Sequence, residues 1–195
     1  MNERKWKWLA IVVALLAGTM VLTGMTSLQG STSDRATFES IIRDVAVLAE
    51  SVHARGVQHL KEGTLAVNTS ALRTQGTAEL NRLFTPDLAS KLAESWVNRN
   101  LDPTSIAASN LVGYGVTQVD FRSISVDNSK AVITADVHKY LVEVIEQDGR
   151  SFNRRLDGVS RYQLTLVKSG GSWKVSQLEK TPDLDASTIT VTPAE

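Results

Sequence analysis

The sequence contains no cysteine. That absence excludes disulfide frameworks, thiolate zinc sites, cysteine nucleophiles and lipid attachment through cysteine. It fits an exported protein that avoids mispairing. An excess charge of either sign is also missing, because Lys plus Arg and Asp plus Glu each total 21. The first 30 residues hold three basic side chains and one acidic, which leaves the remainder near −2. Such a chain offers no electrostatic footprint for nucleic acid, and that class of partner is set aside. Acidic clusters, glycine-rich phosphate loops and nucleophile elbows are absent. His53 and His59 lie six residues apart and so lack the spacing of a helical metal pair. Neither a cofactor nor a metal is expected.

What is present begins with one long apolar run. Arg4, Lys5 and Lys7 precede an uncharged stretch from Trp8 to Ser33. Its most apolar part, Leu9 to Met25, spans roughly 25 Å as a helix, and Thr26 and Ser27 extend it toward the roughly 30 Å hydrocarbon core. Trp6 and Trp8 stand beside the basic residues, where interfacial aromatics are favoured. Residues 1–33 are therefore expected to be a cytoplasmic tip and a single membrane anchor, with the following domain outside. A cleaved signal peptide is the alternative, although no Ala-x-Ala-like site follows the run. Ala10, Ala14 and Gly18 form a small-residue stripe that could pack helix on helix, so a homo-oligomer stays open.

Residues 34–180 read as one domain. Apolar residues at Phe38, Ile41, Ile42, Val45, Leu48, Ala49 and Val52 make a helical stripe, with Ser33 and Asp34 as N-cap candidates and Gly56 as a stop. A weaker helix is expected over 70–84, with Gly76 inside it. A third begins at Thr85-Pro86-Asp87, with Thr85 as N-cap and Leu88, Leu92 and Trp96 on one face. Period-two patterning then predicts strands over 116–126, 131–146, 151–167 and 173–179. Their turns are placed at Asp127-Asn128-Ser129, Asp148-Gly149 and Ser169-Gly170-Gly171, and a bulge is expected at Asp157-Gly158. Residues 181–195 read as a polar tail, although Ile189 and Val191 could add an edge strand. Helices followed by an antiparallel meander specify an α+β fold, with helices on one face of a curved sheet of about four long strands.

The helix start "LFTPDL", the long strands and the closing hairpin "YQLTLVKSGGSWKVSQLE" resemble the nuclear transport factor 2-like superfamily. Trp173, Lys174 and Val175 carry the motif of its last strand. The resemblance covers roughly residues 35–180 and implies a cone-shaped α+β fold without specifying an activity. With the anchor added, the chain resembles Mce-associated membrane proteins of actinobacteria and the extracytoplasmic assembly components of type IV secretion and conjugation systems. Both groups imply a non-enzymatic scaffold that binds other proteins of an envelope complex.

Enzymes of this fold carry acid–base residues inside the cone, and Asp136, His138 and Tyr140 share one face of the second strand. The apolar register of that strand is the other one: Ile133, Ala135, Val137, Leu141 and Ile145. It assigns the inner face to the apolar set and the outer, solvated face to Asp136, His138 and Tyr140. Lys139 interrupts the apolar register, which points to disturbed alternation near the mouth. Trp96 is expected to pack against the sheet. The alternative reading is a small-molecule-binding or acid–base catalytic cone, with ligand held between Trp96 and the strands.

Overall fold

A computed structural model describes residues 32–181 and 188–194. The segment expected to be a membrane anchor lies outside the described residues up to Gly30 and Ser31. Among the described residues no helix is long and apolar enough to cross a membrane. The architecture is α+β: helices, then a curved antiparallel sheet.

Helix α1, Thr32–Lys61, extends beyond the expected stop. Ser33 and Asp34 already lie in its first turn and are not N-caps. Gly56 does not end it either. A Cβ there would fall 2.6 Å from Ile106 Cδ1 and 3.2 Å from Leu101 Cδ2, so this glycine is needed for close packing in mid-helix. The actual stop is Gly63, at φ +69. Thr64 N–H donates to the His59 carbonyl and Gly63 N–H to that of Leu60, which together satisfy two terminal carbonyls.

Helix α2, Leu65–Leu83, begins earlier than expected and buries Leu65, Leu72, Gly76, Leu80 and Leu83. Gly76 again marks a close approach, since a Cβ would sit 3.1 Å from Val97 Cγ1 and 3.3 Å from Val52 Cγ2. Helix α3, Pro86–Ala93, follows Thr85, whose side chain makes no cap bond. The Thr85 backbone N–H instead donates to the Val175 carbonyl at 2.9 Å, tying the helices to the last long strand. A π-helical turn, Glu94–Asn98, and a 3-10 turn, Arg99–Leu101, lead into the short α4, Pro103–Ala107. Asp102 caps α4 by accepting from Ser105 N–H.

Four long strands follow: β1 Leu111–Asp127, β2 Lys130–Gln147, β3 Arg150–Ser169 and β4 Ser172–Thr181. They pair in sequence order. All three turns lie where the sequence places them, with Asn128, Asp148, Gly149, Gly170 and Gly171 at positive φ. β2 and β3 pair without interruption from Lys130↔Val167 to Gln147↔Arg150, and Lys139 faces Gly158 in register. There is consequently no bulge between β2 and β3 at Asp157-Gly158. The irregularities fall in β1, near Val112, Thr117 and Arg122, and between β3 and β4 at Thr165/Leu166. Bulges bend and twist a strand, so they account for the curvature of the β1 edge.

The stretch read as a tail contains β5, Thr188–Pro193, so the edge-strand option is the one realised. β5 continues along the same edge of β3 as β4, pairing Asp157↔Thr188 through Phe152↔Pro193. The core lies between the helices and the β1–β4 half of the sheet. There Phe38, Ile42 and Val45 of α1 meet Ile133, Ala135, Val137, Leu164, Leu166 and Val175, all essentially inaccessible. Beyond Val137 the strands of β2 and β3 are only half-buried and run past the helix layer as an arm that carries β5.

Candidate functional site

Asp136, His138 and Tyr140 share the face of β2 opposite Ile133, Ala135 and Val137, but burial alternates only as far as Ala135, and beyond Val137 both registers are half-buried. Asp136 is 3% exposed, because two guanidiniums cover it. Arg122 Nε and Arg161 Nε each donate at 2.7 Å, and Arg161 Nη2 adds a bond at 3.0 Å. The bonds from Arg161 lower its pKa most, burial opposes them, and Arg122 lowers it further, to about 2. A carboxylate held in this way is a poor proton acceptor near neutral pH.

His138 Nε2 donates to Asp120 Oδ2 at 3.0 Å. Asp120 also accepts from Gln118 Nε2, and that bond is the main cause of its lowered pKa. A histidine oriented by a carboxylate is a geometry that acid–base catalysts use. Here both side chains are 37% exposed on an open sheet surface. Tyr140 lies under the Arg155 guanidinium, 4.2 Å from ring centroid to Cζ, and Asp157 grips the same arginine at 2.8 Å. Gly115 makes room for the ring: a Cβ at that position would be 2.7 Å from Tyr140 Cε1. The three candidates are each bound to a different neighbour, so the structure does not bring them together as a unit.

Trp96 lies in the π-helical turn and meets Phe84 edge-to-face, with centroids 5.7 Å apart. It packs against the helix side of the core and does not hold a space between itself and the strands.

A smaller concavity than the roughly 880 Å³ hollow beside Trp173 lies where the middle of α1 passes under the start of the arm. Lys139 points inward there. Its Nζ donates to the Ala46 carbonyl at 2.9 Å and to Glu50 Oε1 at 3.0 Å, with 17% and 25% of the two side chains exposed. Two cavities of about 320 and 270 Å³ share Glu50 and Leu141. The first is bordered by Lys139, Tyr140, Leu156, Ser160 and Lys180. His53, Asn100 and Glu143 border the second. Buried Tyr162 stands near Glu50; burial, and then that carboxylate, raise its pKa well above the usual phenol range. His53 Nδ1 lies 3.1 Å from the Asn100 carbonyl. Because a carbonyl only accepts, Nδ1 carries the hydrogen and Nε2 is the basic nitrogen of the neutral ring. The groove is thus lined by polar groups, with the charges of Lys139 and Glu50 paired to each other. Among the described residues no three His, Asp or Glu converge as a metal site.

Sequence reasoning missed Glu50, Ser160, Tyr162 and Lys180, and considered His53 only as half of a metal pair. The available signal was Lys139: a cation in an apolar register needs an inward partner, and Glu50 falls beside the buried stripe of α1.

No protein-family model matches the chain, and no curated protein matches it. Among solved structures, the crystal structure of the intermembrane space region of chloroplast protein ARC6 is similar over 63% of this chain and 95% of that chain. The identity is 11% and the TM-score 0.38, a likeness too slight to carry an argument.

Proposed function

We propose that the chain is a non-enzymatic, membrane-anchored scaffold. Its domain, of the nuclear transport factor 2-like type, stands outside the membrane and binds other proteins of an envelope transport or secretion complex. The observation that supports this most is the filled concave face. Where a cone enzyme opens a pocket, Ile133, Ala135, Val137, Leu164 and Leu166 meet Phe38 and Ile42 without accessible space. The polar trio faces outward and is engaged in structural ion pairs and ring contacts. A surface of alternating charge and hydrogen-bonding groups suits partner recognition and gives no shelter from water to a reaction.

The test is a triple replacement, Asp136→Asn with His138→Gln and Tyr140→Phe, in a strain whose phenotype depends on the protein. A scaffold retains at least part of its function with these near-isosteric side chains. Complete loss, with folding and partner binding intact, supports the enzyme instead.

A second reading, a small-molecule-binding domain, rests on the groove at Glu50, Lys139 and Ser160. Its volume is at the lower edge of the usual range for ligand pockets. Lys139→Met separates the two: it abolishes ligand binding in the second reading and leaves partner binding unchanged in the first.

A further inference from the structure

We infer that β5 is a self-complementary edge through which two copies of this chain pair about a two-fold axis at Thr190. One side of β5 is taken by β3. Ala194 N–H donates to the Ser151 carbonyl at 3.0 Å, and the register runs Phe152↔Pro193, Asn153↔Thr192, Arg154↔Val191 and Arg155↔Thr190. Hydrogen-bonded positions alternate in an antiparallel ladder. The backbone groups of Ala194, Thr192, Thr190 and Thr188 therefore point toward β3, while those of Ile189, Val191 and Pro193 point to the other edge. Among the described residues nothing pairs with that edge.

Pro193 fits this assignment, because a proline belongs where the missing N–H would have faced outward. The outward edge thus offers two complete donor–acceptor units, Ile189 and Val191. Only one two-fold register satisfies both. With Thr190 opposite its own copy, Ile189 exchanges both hydrogen bonds with Val191 of the second copy, and Val191 with Ile189. A register centred on Val191 would place Ile189 opposite Pro193 and lose a donor. One centred on Ile189 would place Val191 opposite residue 187, beyond β5.

Side chains agree with the backbone. Ile189 and Val191 are 60% and 49% exposed and share the face of Leu156 and Arg154. Pairing produces continuous cross-strand rows, in which Leu156–Ile189 of one copy meets Val191–Arg154 of the other. On the opposite face a threonine meets a threonine. β5 carries no charge, and the nearest cation on that face, Arg155, is neutralised by Asp157 in its own copy. Of the devices that commonly protect edge strands, β5 has a proline at its end and a short length but no lysine or inward charge. A two-fold perpendicular to the sheet keeps both helix layers on one side.

Six residues of edge bury less than the roughly 1,000 Å² of a stable complex. The pairing is accordingly weak in dilute solution and is best read by crosslinking. A chain without cysteine makes this clean. In the paired register Thr190 Cα atoms of the two copies are about 4.5 Å apart, within the roughly 4.4–6.8 Å that a disulfide spans. The Thr188 atoms are separated by roughly 13 Å or more.

The experiment oxidises the full chain in native membranes and reads mass on a non-reducing gel. Thr190→Cys is expected to double in mass. Thr188→Cys and Thr192→Cys are each expected to stay single when alone and to crosslink to each other when co-expressed. Val191→Pro added to Thr190→Cys should abolish the crosslink, because it removes an outward N–H that β3 does not use. Equal crosslinking at positions 188 and 190, none at 190, or a crosslink that survives Val191→Pro would each overturn the pairing. The result is independent of the envelope-complex reading, because it requires no other protein.

Discussion

Replacing Asp136 by Asn tests whether the outer face is built for structure or for proton transfer. The substitution keeps the shape and removes the charge, so the amide NH2 meets guanidinium donors that formerly met an acceptor. The depression of the pKa from 3.8 to about 2 corresponds to roughly 2.5 kcal/mol at about 1.4 kcal/mol per tenfold change in acidity. That figure is an upper bound. Arg122 and Arg161 are 59% and 40% exposed, so water screens the pair and resolvates them once it is broken. With that discount the expected loss is about 1–1.5 kcal/mol at neutral pH.

The sign of its pH dependence follows from the direction of the shift. A carboxyl group whose folded pKa lies below its unfolded value contributes fully above the unfolded value, near 3.9. The contribution is lost as pH falls through about 2. Urea midpoints at unchanged slope should thus separate wild type from Asp136→Asn at pH 6, and the separation should close between about pH 4 and pH 2. A constant gap across that range would refute the ion-pair account. A loss above about 4 kcal/mol would mean that the two arginines are buried and cannot resolvate.

Trp173 is 8% exposed and meets Phe38 edge-to-face at 5.3 Å. Trp173→Ala should therefore cost about 3–5 kcal/mol in urea unfolding, and a loss below about 1 would contradict its place in the core. Gly76→Val forces branched methyls against Val97 and Val52 and should destabilise by about 1–3 kcal/mol, whereas a gain would show that the α1–α2 crossing can widen. N-terminal sequencing of the mature protein should read from residue 1 or 2. A start after residue 25 would replace the anchor with a cleaved signal.

The order of helices and strands was legible because period and turn chemistry agree along the chain. Asp148-Gly149 and Gly170-Gly171 demand left-handed backbone that few other pairs tolerate, so each turn fell where the residues put it. Glycine elsewhere was ambiguous. Gly56 and Gly63 look alike in sequence, yet one accommodates Ile106 and the other ends the helix. Only the partner element distinguishes the two roles. Asp157-Gly158 carries the same local signal as a turn, but pairing with β2 on one side and β5 beside it overrides that preference. That Asp136, His138 and Tyr140 share one face of β2 was legible from alternation alone. That Asp136 is nearly inaccessible was not, because its cover comes from Arg122 and Arg161 on neighbouring strands. The groove depends on a contact between residues 89 apart, Lys139 and Glu50, which no local pattern encodes.

The central claim, an anchored scaffold for other envelope proteins, is tested most directly by purifying the tagged full-length chain from crosslinked membranes and identifying by mass everything retained. The account predicts a defined set of membrane or envelope proteins in stable ratio to the chain, unchanged by Lys139→Met. Recovery of the chain without other proteins, together with a small molecule whose retention is lost in Lys139→Met, would contradict it.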